Sequence, residues 1–249
     1  MIYLYSGTPG SGKSLHVASI IWTKLRHGRA IIANFPVDLN AIAERNIDYR
    51  LRMINNKHKG KPIKLGRFNY VEMQDLNVDY LTQYAMRHHK AGREGQTLLI
   101  IDECACIFNS RAWDSKDRMK WIVFFQQHRK LGFNIILISQ ADRLIDRQIR
   151  AFIEYNVKHR CVNNFKILGK IFGLLSGGKL FAAIEYWYGV NEKCGVEMFI
   201  LNRRIAKIYD TFKIFTTSAP ADKGVAGRRP AGVSLSAEPD ETKIISEVI

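Results

Sequence analysis

The sequence predicts an α/β fold: a core parallel β-sheet flanked by helices, with a small β-rich extension and a flexible C-terminal tail. Three observations carry this prediction. Short apolar, β-branched runs alternate with helical stretches through the first two thirds of the chain. A glycine-rich turn joins the first apolar run to the first helical stretch. A later apolar run ends in two adjacent acids.

Taken in order, Ile2–Tyr5 is apolar but short, has no basic stretch before it, and is followed at once by Gly, Pro and Lys. It reads as a buried strand, not a secretory leader. Ser14–Leu25 has the spacing of an amphipathic helix. Ala30–Asn34 is the next strand. The basic, Asn- and Gly-rich stretch Arg50–Arg67 reads as an inserted solvated loop or a phosphate-contacting surface. Thr97–Ile101 and Phe133–Ser139 complete the predicted core strands, and Met119–Lys130 is the helix between them. Beyond Cys161, the runs Leu180–Tyr188 and Glu197–Leu201 suggest a β-rich extension. Ile167–Ala183 also has the character of a basic segment lying on a membrane surface, but Gly177 and Gly178 favour a hairpin turn there. From Thr216 the composition turns to Ser, Ala, Pro, Gly and charge, as in a flexible tail. The expected organisation is one domain over 1–215, with a core (1–160) and an extension (161–215), then a tail (216–249).

Composition narrows the function. The chain has 249 residues, 47% hydrophobic and 24% charged, which excludes global disorder. Its 38 Lys and Arg against 23 Asp and Glu give a net charge of +15. That balance suits an acidic partner: nucleic acid or an anionic membrane face. Cys104, Cys106, Cys161 and Cys194 lack zinc-ligand or redox-pair spacing. Cys104 and Cys106 read as packed thiols, and the cytosol is the expected compartment. No window of about 20 residues is free of charge, so no spanning helix is expected.

The chemistry concentrates in Gly7-Thr8-Pro9-Gly10-Ser11-Gly12-Lys13-Ser14, followed by Leu15. It fits G-x-x-x-x-G-K-[ST] at every fixed position, in the required strand–loop–helix setting. Glycines let the backbone wrap a phosphate with its N–H groups inward, and the helix N-terminus adds positive potential. Lys13 would reach the β- and γ-phosphates of ATP, and Ser14 would ligate Mg²⁺. This is the signature of a P-loop NTPase. Asp102 and Glu103 end the apolar run Leu98-Leu99-Ile100-Ile101. Asp102 would hold Mg²⁺ through water, and Glu103 would polarise the attacking water. Ser139 or Gln140, ending the third run, is either a γ-phosphate sensor or a local strand-end group. Arg129, Arg143, Arg147 and Arg150 crowd the adjacent segment, and any of them could complete a neighbour's site. His88, His89 and His128 receive no role.

The opening motif, Ala33-Asn34-Phe35-Pro36, Ile100-Ile101-Asp102-Glu103-Cys104 with Phe108, Arg111 and Trp113, Gln127-His128-Arg129-Lys130-Leu131-Gly132 leading into Ile138-Ser139-Gln140, and Ile208-Tyr209-Asp210-Thr211 together resemble the zonular occludens toxin (Zot) family. That family includes the gene I assembly protein of filamentous phages. The resemblance spans about residues 1–215. It implies a Mg²⁺-dependent ATPase in the cytoplasm at the inner membrane of the bacterial host. Such an ATPase powers secretion of single-stranded phage DNA with membrane-bound assembly proteins. A more distant similarity to FtsK/HerA-type DNA pumps implies a homo-oligomer, a hexameric ring. Family members carry a transmembrane helix after this domain, whereas this sequence ends in a polar tail. The resemblance therefore implies membrane association through a missing helix or through a partner. Two other readings fit the same residues: a nucleotide-gated scaffold with slow turnover, and a helicase-loader-like ATPase that binds single-stranded DNA.

Overall fold

A computed structural model of the protein describes residues 1–44, 63–109, 115–162 and 179–209. The remaining residues include most of Arg50–Arg67, most of Ile167–Ala183 with the predicted Gly177–Gly178 turn, Arg111, Trp113, Asp210, Thr211 and the tail. The expectations placed on them lie outside the described residues. All described residues belong to one unit, Met1–Phe212.

The described elements run β1 (Ile2–Ser6), α1 (Lys13–Arg26), β2 (Ala30–Ala33), α2 (Leu39–Ala43), β3 (Phe68–Tyr70), α3 (Val78–His88), β4 (Thr97–Ile101), α4 (Ser115–Gln127), β5 (Phe133–Ile138), α5 (Arg147–Arg150), β6 (Tyr155–Cys161), β7 (Leu180–Trp187), β8 (Glu192–Ile200) and α6 (Arg203–Lys207). The strands form one eight-stranded sheet in the order β3-β2-β4-β5-β1-β6-β7-β8. The pairs from β3 through β6 are parallel, and β6-β7-β8 are antiparallel. The fold is the mixed α/β class expected, with the β-rich extension continuing the same sheet. β5 lies between β1 and β4, so the loop after β1 and the acids after β4 flank the end of β5.

Both faces of the parallel half are buried, which is why its strands read as unbroken apolar runs rather than alternating ones. One face packs Leu4, Leu99, Ile101 and Leu137 against Leu81 and Tyr84 of α3 and Phe124 and Phe125 of α4. The other packs Ile31, Ile100 and Ile136 against Val17, Ile21 and Leu25 of α1, and against Ile208 and Tyr209 after α6. Each fully buried side chain of this size contributes about 1.5–3 kcal/mol of transfer free energy. Asp38 caps α2 through its bond from the Ala41 N–H, and Asn77 caps α3 through its bond from the Tyr80 N–H.

Two strands and one long helix lie outside the predicted set. β3 is a three-residue edge, too short to show a period. β6, YNVKHRC, carries Lys158 and Arg160 on one face, and those charges mask its strand character. α3 shows an amphipathic pattern that falls in a polar, His-rich stretch.

Candidate functional site

The loop Gly7–Gly12 leaves the C-terminal end of β1 and enters α1. Its turns need glycine. Gly7 and Gly12 have φ of 144° and 98°. A β-carbon on Gly7 would stand 2.7 Å from the His159 carbonyl oxygen, and one on Gly12 would stand 2.6 Å from the Phe181 ring. Gly12 precedes α1 without a side-chain cap, and the first turn of α1 holds no acid. The positive end of the helix therefore faces the loop uncompensated, as suits an anion.

The Lys13 ammonium donates to the Gly7 carbonyl at 2.5 Å and the Thr8 carbonyl at 3.2 Å. Burial lowers its pKa, and the Glu103 and Asp102 carboxylates partly oppose that shift. The carboxylates after β4 are thus close enough to act on the loop cation. Thr8, Pro9 and Gly10 are exposed; Ser14 and Leu15 are half-buried at the start of α1. The Ser11 hydroxyl is buried and has no hydrogen-bond partner. A buried hydroxyl left unpaired next to the N-terminus of α1 fits an anionic ligand there. Ser14 and Asp102 offer the hard oxygen donors that Mg²⁺ takes.

Asp102 is held on every side. Its Oδ1 accepts from the Glu103 N–H at 2.8 Å, and its Oδ2 accepts from the Tyr209 hydroxyl. Asn34, just past β2, accepts from the Asp102 N–H at 2.7 Å and donates to its carbonyl at 2.9 Å. The Asn34 side chain thereby extends the β2–β4 ladder past its last rung. Glu103 has φ 46° and ψ 44°, a left-handed conformation that costs a residue with a β-carbon.

At the end of β5, the Ser139 hydroxyl donates to the Ala141 carbonyl at 3.0 Å, a local bond. Gln140 is exposed, and its carbonyl accepts from the Gly7 N–H at 3.4 Å, so it adjoins the loop through its backbone.

Other predicted residues fall elsewhere. Arg129 pairs with Glu154 at 2.7 Å. Glu154 also binds the Ile2 N–H at the N-terminal end of β1, so Arg129 lies at the end of the sheet opposite the loop. Arg143 and Arg147 are exposed on the segment after β5, whereas Arg150 is half-buried and near enough to Tyr188 to act on its hydroxyl. Cys104 is buried, with burial pushing its thiol pKa well up, whereas Cys106 is exposed, contrary to the packed-thiol expectation. Both ring nitrogens of His89 are engaged, by the Leu131 carbonyl and the Thr97 hydroxyl, each at 2.6 Å. His128 meets the Phe125 carbonyl at 2.6 Å. Among the described residues, no group of three or more His, Cys, Asp or Glu is gathered as a metal-ion site.

Sequence reasoning missed a buried pair beneath the loop. His16 Nδ1 lies 2.9 Å from His159 Nε2. His159 Nδ1 lies 3.3 Å from the Ser6 carbonyl, and His16 Nε2 lies 3.4 Å from Glu197. Tyr5 packs against both rings. Only the placement of His16 on the apolar face of α1 hinted at it. Tyr209 and Asn34 stood in the quoted family pieces, but nothing in the sequence joined either to Asp102.

A glycine-rich loop between a parallel strand and a helix, at the end of the sheet where another strand delivers two acids, defines the fold of a P-loop NTPase. The match of the family model "Zonular occludens toxin (Zot)" to residues 1–171 then places the particular chain: it belongs to the Zot family. It is similar to the Gene 1 protein of Enterobacteria phage I2-2, 28% identical over 225 residues, covering 87% of this chain and 58% of that relative. The chain thus spans little more than half the length of that relative. In structure it is similar to a solved ATPase domain, with a TM-score of 0.50 at 8% identity, covering 84% of each chain; this shows the fold. It is also similar to the N-terminal domain of zonular occludens toxin from Neisseria meningitidis, with a TM-score of 0.48 at 15% identity, covering 84% of this chain and 98% of that one. No helix among the described residues is long and apolar enough to cross a membrane.

Proposed function

We propose that this chain is a Mg²⁺-dependent ATPase that drives filamentous-phage assembly and secretion, working at the cytoplasmic face of the inner membrane. The observation that carries the reading is convergence: the Lys13 ammonium sits on the loop carbonyls within electrostatic reach of both Glu103 and Asp102. The Gly10–Ser14 N–H groups would cradle the phosphates of ATP. Lys13 would exchange the Gly7 and Thr8 carbonyls for β- and γ-phosphate oxygens. Ser14 and Asp102 would hold Mg²⁺, which when bound neutralises charge on the phosphates. Glu103 would polarise a water for attack on the γ-phosphorus, as the bond to ADP breaks and phosphate leaves. Gln140, exposed beside Gly7, is placed to sense the γ-phosphate. Kinship with a phage Gene 1 protein supports the assembly role, and a homo-oligomeric ring passing single-stranded DNA is the form we favour.

The test compares three proteins in ATP binding and in phosphate release. Glu103→Gln should bind ATP like the parent while turnover falls by about 10²-fold, the scale of lost general-base assistance. Lys13→Ala should lose both. Turnover of Glu103→Gln within twofold of the parent removes Glu103 from the reaction, and normal ATP binding by Lys13→Ala removes the loop.

A further inference from the structure

We propose that Tyr209 is a positioning residue for the Asp102 carboxylate, so that the segment closing the domain is a working part of the nucleotide site. The proposal rests on the ATPase reading above. Two stretches of the sequence, around Asn34-Phe35 and around Tyr209, converge on one acid. The turn after β2 supplies Asn34, which is 1% exposed and clamps the Asp102 main chain through both its N–H and its carbonyl. The next residue, Phe35, is 2% exposed and packs its ring 4.2 Å from that of Tyr209. Tyr209 then donates its hydroxyl to Asp102 Oδ2, while the Glu103 N–H occupies Oδ1. Main chain and both carboxylate oxygens are thus fixed by two separate parts of the fold and by the N–H of the next residue.

The arithmetic of donors leaves the acid usable. An ionised carboxylate accepts at about four lone-pair sites, and the interactions described use two. The others remain for donors such as metal-bound water, in an orientation that Tyr209 and the Glu103 N–H set. Tyr209 is suited to a fixed donor role. It is 7% exposed, and its hydroxyl is directed at Asp102 Oδ2 while its ring is held by Phe35. Its own segment is anchored as well, because the Ile208 carbonyl accepts from the Asp38 N–H at 3.0 Å. If Tyr209 only filled space, a phenyl ring would serve equally, and that difference makes the proposal testable.

The experiment uses the full chain with Tyr209→Phe, which keeps the ring and its contact with Phe35, and Tyr209→Leu, which does not. A fluorescent ATP analogue is titrated with Mg²⁺ present and with it chelated, and steady-state turnover is followed against Mg²⁺ and against ATP. Tyr209→Phe should lower Tm by about 4 °C or less, the scale of one hydrogen bond in a domain of this size. Without Mg²⁺ its affinity for the analogue should stay within twofold of the parent. The gain in affinity on adding Mg²⁺ should shrink by about tenfold, and kcat at saturating ATP should fall by a similar factor, the usual cost of losing an outer-shell partner. KM for ATP at saturating Mg²⁺ should rise by no more than that same factor, following the weaker Mg²⁺-bound affinity. Tyr209→Leu should show the same loss of Mg²⁺ response and a larger fall in Tm. Parental Mg²⁺ response and kcat in Tyr209→Phe, with a loss only in Tyr209→Leu, overturn the proposal in favour of packing. A parent chain that binds no ATP overturns the ATPase reading and the positioning role together.

Discussion

His16 and His159 share a hydrogen-bond chain with acceptors at both ends, the Glu197 carboxylate and the Ser6 carbonyl. Three contacts in a row need three ring protons, and two neutral imidazoles supply two. The neutral pair therefore leaves one end contact unmade, in keeping with the longer spacings there. Burial, the largest cause, lowers the pKa of both rings, that of His159 to about 3 with His16 and Lys13 adding to the shift. A base whose folded pKa is depressed binds its proton first in the unfolded chain. Its stability contribution is whole above the unfolded value of 6.5 and is lost as the pH falls from there toward about 3. We predict that the unfolding free energy falls across that window with a slope of up to about 1.4 kcal/mol per pH unit for each proton involved. His159→Gln should flatten the slope, as measured by urea unfolding at several pH values. An unchanged slope would show that the pair does not govern the acid response. The loop and the acids were legible because the chemistry fixes their residue types and spacing. The His pair was not, since its members lie on α1 and β6 and meet only through the sheet order.

The elements around the loop constrain one another. Gly12 and Gly10 both need a left-handed backbone, with φ of 98° and 73°. Only Gly12 also abuts another element, the Phe181 ring of β7; a β-carbon on Gly10 would have no heavy atom within 4 Å. Gly12→Ala should therefore cost backbone strain plus overpacking, about 2–5 kcal/mol, and Gly10→Ala only the strain, about 1–2 kcal/mol. Thermal unfolding should separate them, and equal losses would show that the contact with Phe181 carries no weight. This dependence of the loop on β7 could not be read in advance. Strands β1, β2, β4 and β5 were visible as apolar runs because both their faces are buried. β6 was hidden by Lys158 and Arg160, the first of which lies over the Tyr186 ring at 4.6 Å. Likewise α4 begins at Ser115, a turn before the predicted Met119, because its first turn is polar.

For the whole molecule, the ring reading places an arginine of one copy at the site of the next. Arg129 is withdrawn by its pairing with Glu154, and Arg150 is turned toward Tyr188. Arg143 and Arg147 remain exposed on the segment after β5. We predict that Arg147→Ala, or Arg143→Ala, is inactive alone and that mixing it with inactive Glu103→Gln restores part of the turnover. Light scattering in saturating ATP and Mg²⁺ should report an oligomer. A monomer there, with no rescue at any ratio, would leave a self-contained site. The net charge of +15 suits a phosphate backbone as cargo, and such binding should weaken steeply with salt.

The order of strands also governs how the chain is made. β1 leaves the ribosome well ahead of its partners β5 and β6, which begin at Phe133 and Tyr155. At 5–20 residues per second, β1 waits on the order of ten seconds for a neighbour. The loop after β1 therefore cannot take its final form until β5 and β6 have been made. Throughout that interval an apolar strand, Ile2-Tyr3-Leu4-Tyr5, stands open to chaperones and to other unfinished copies.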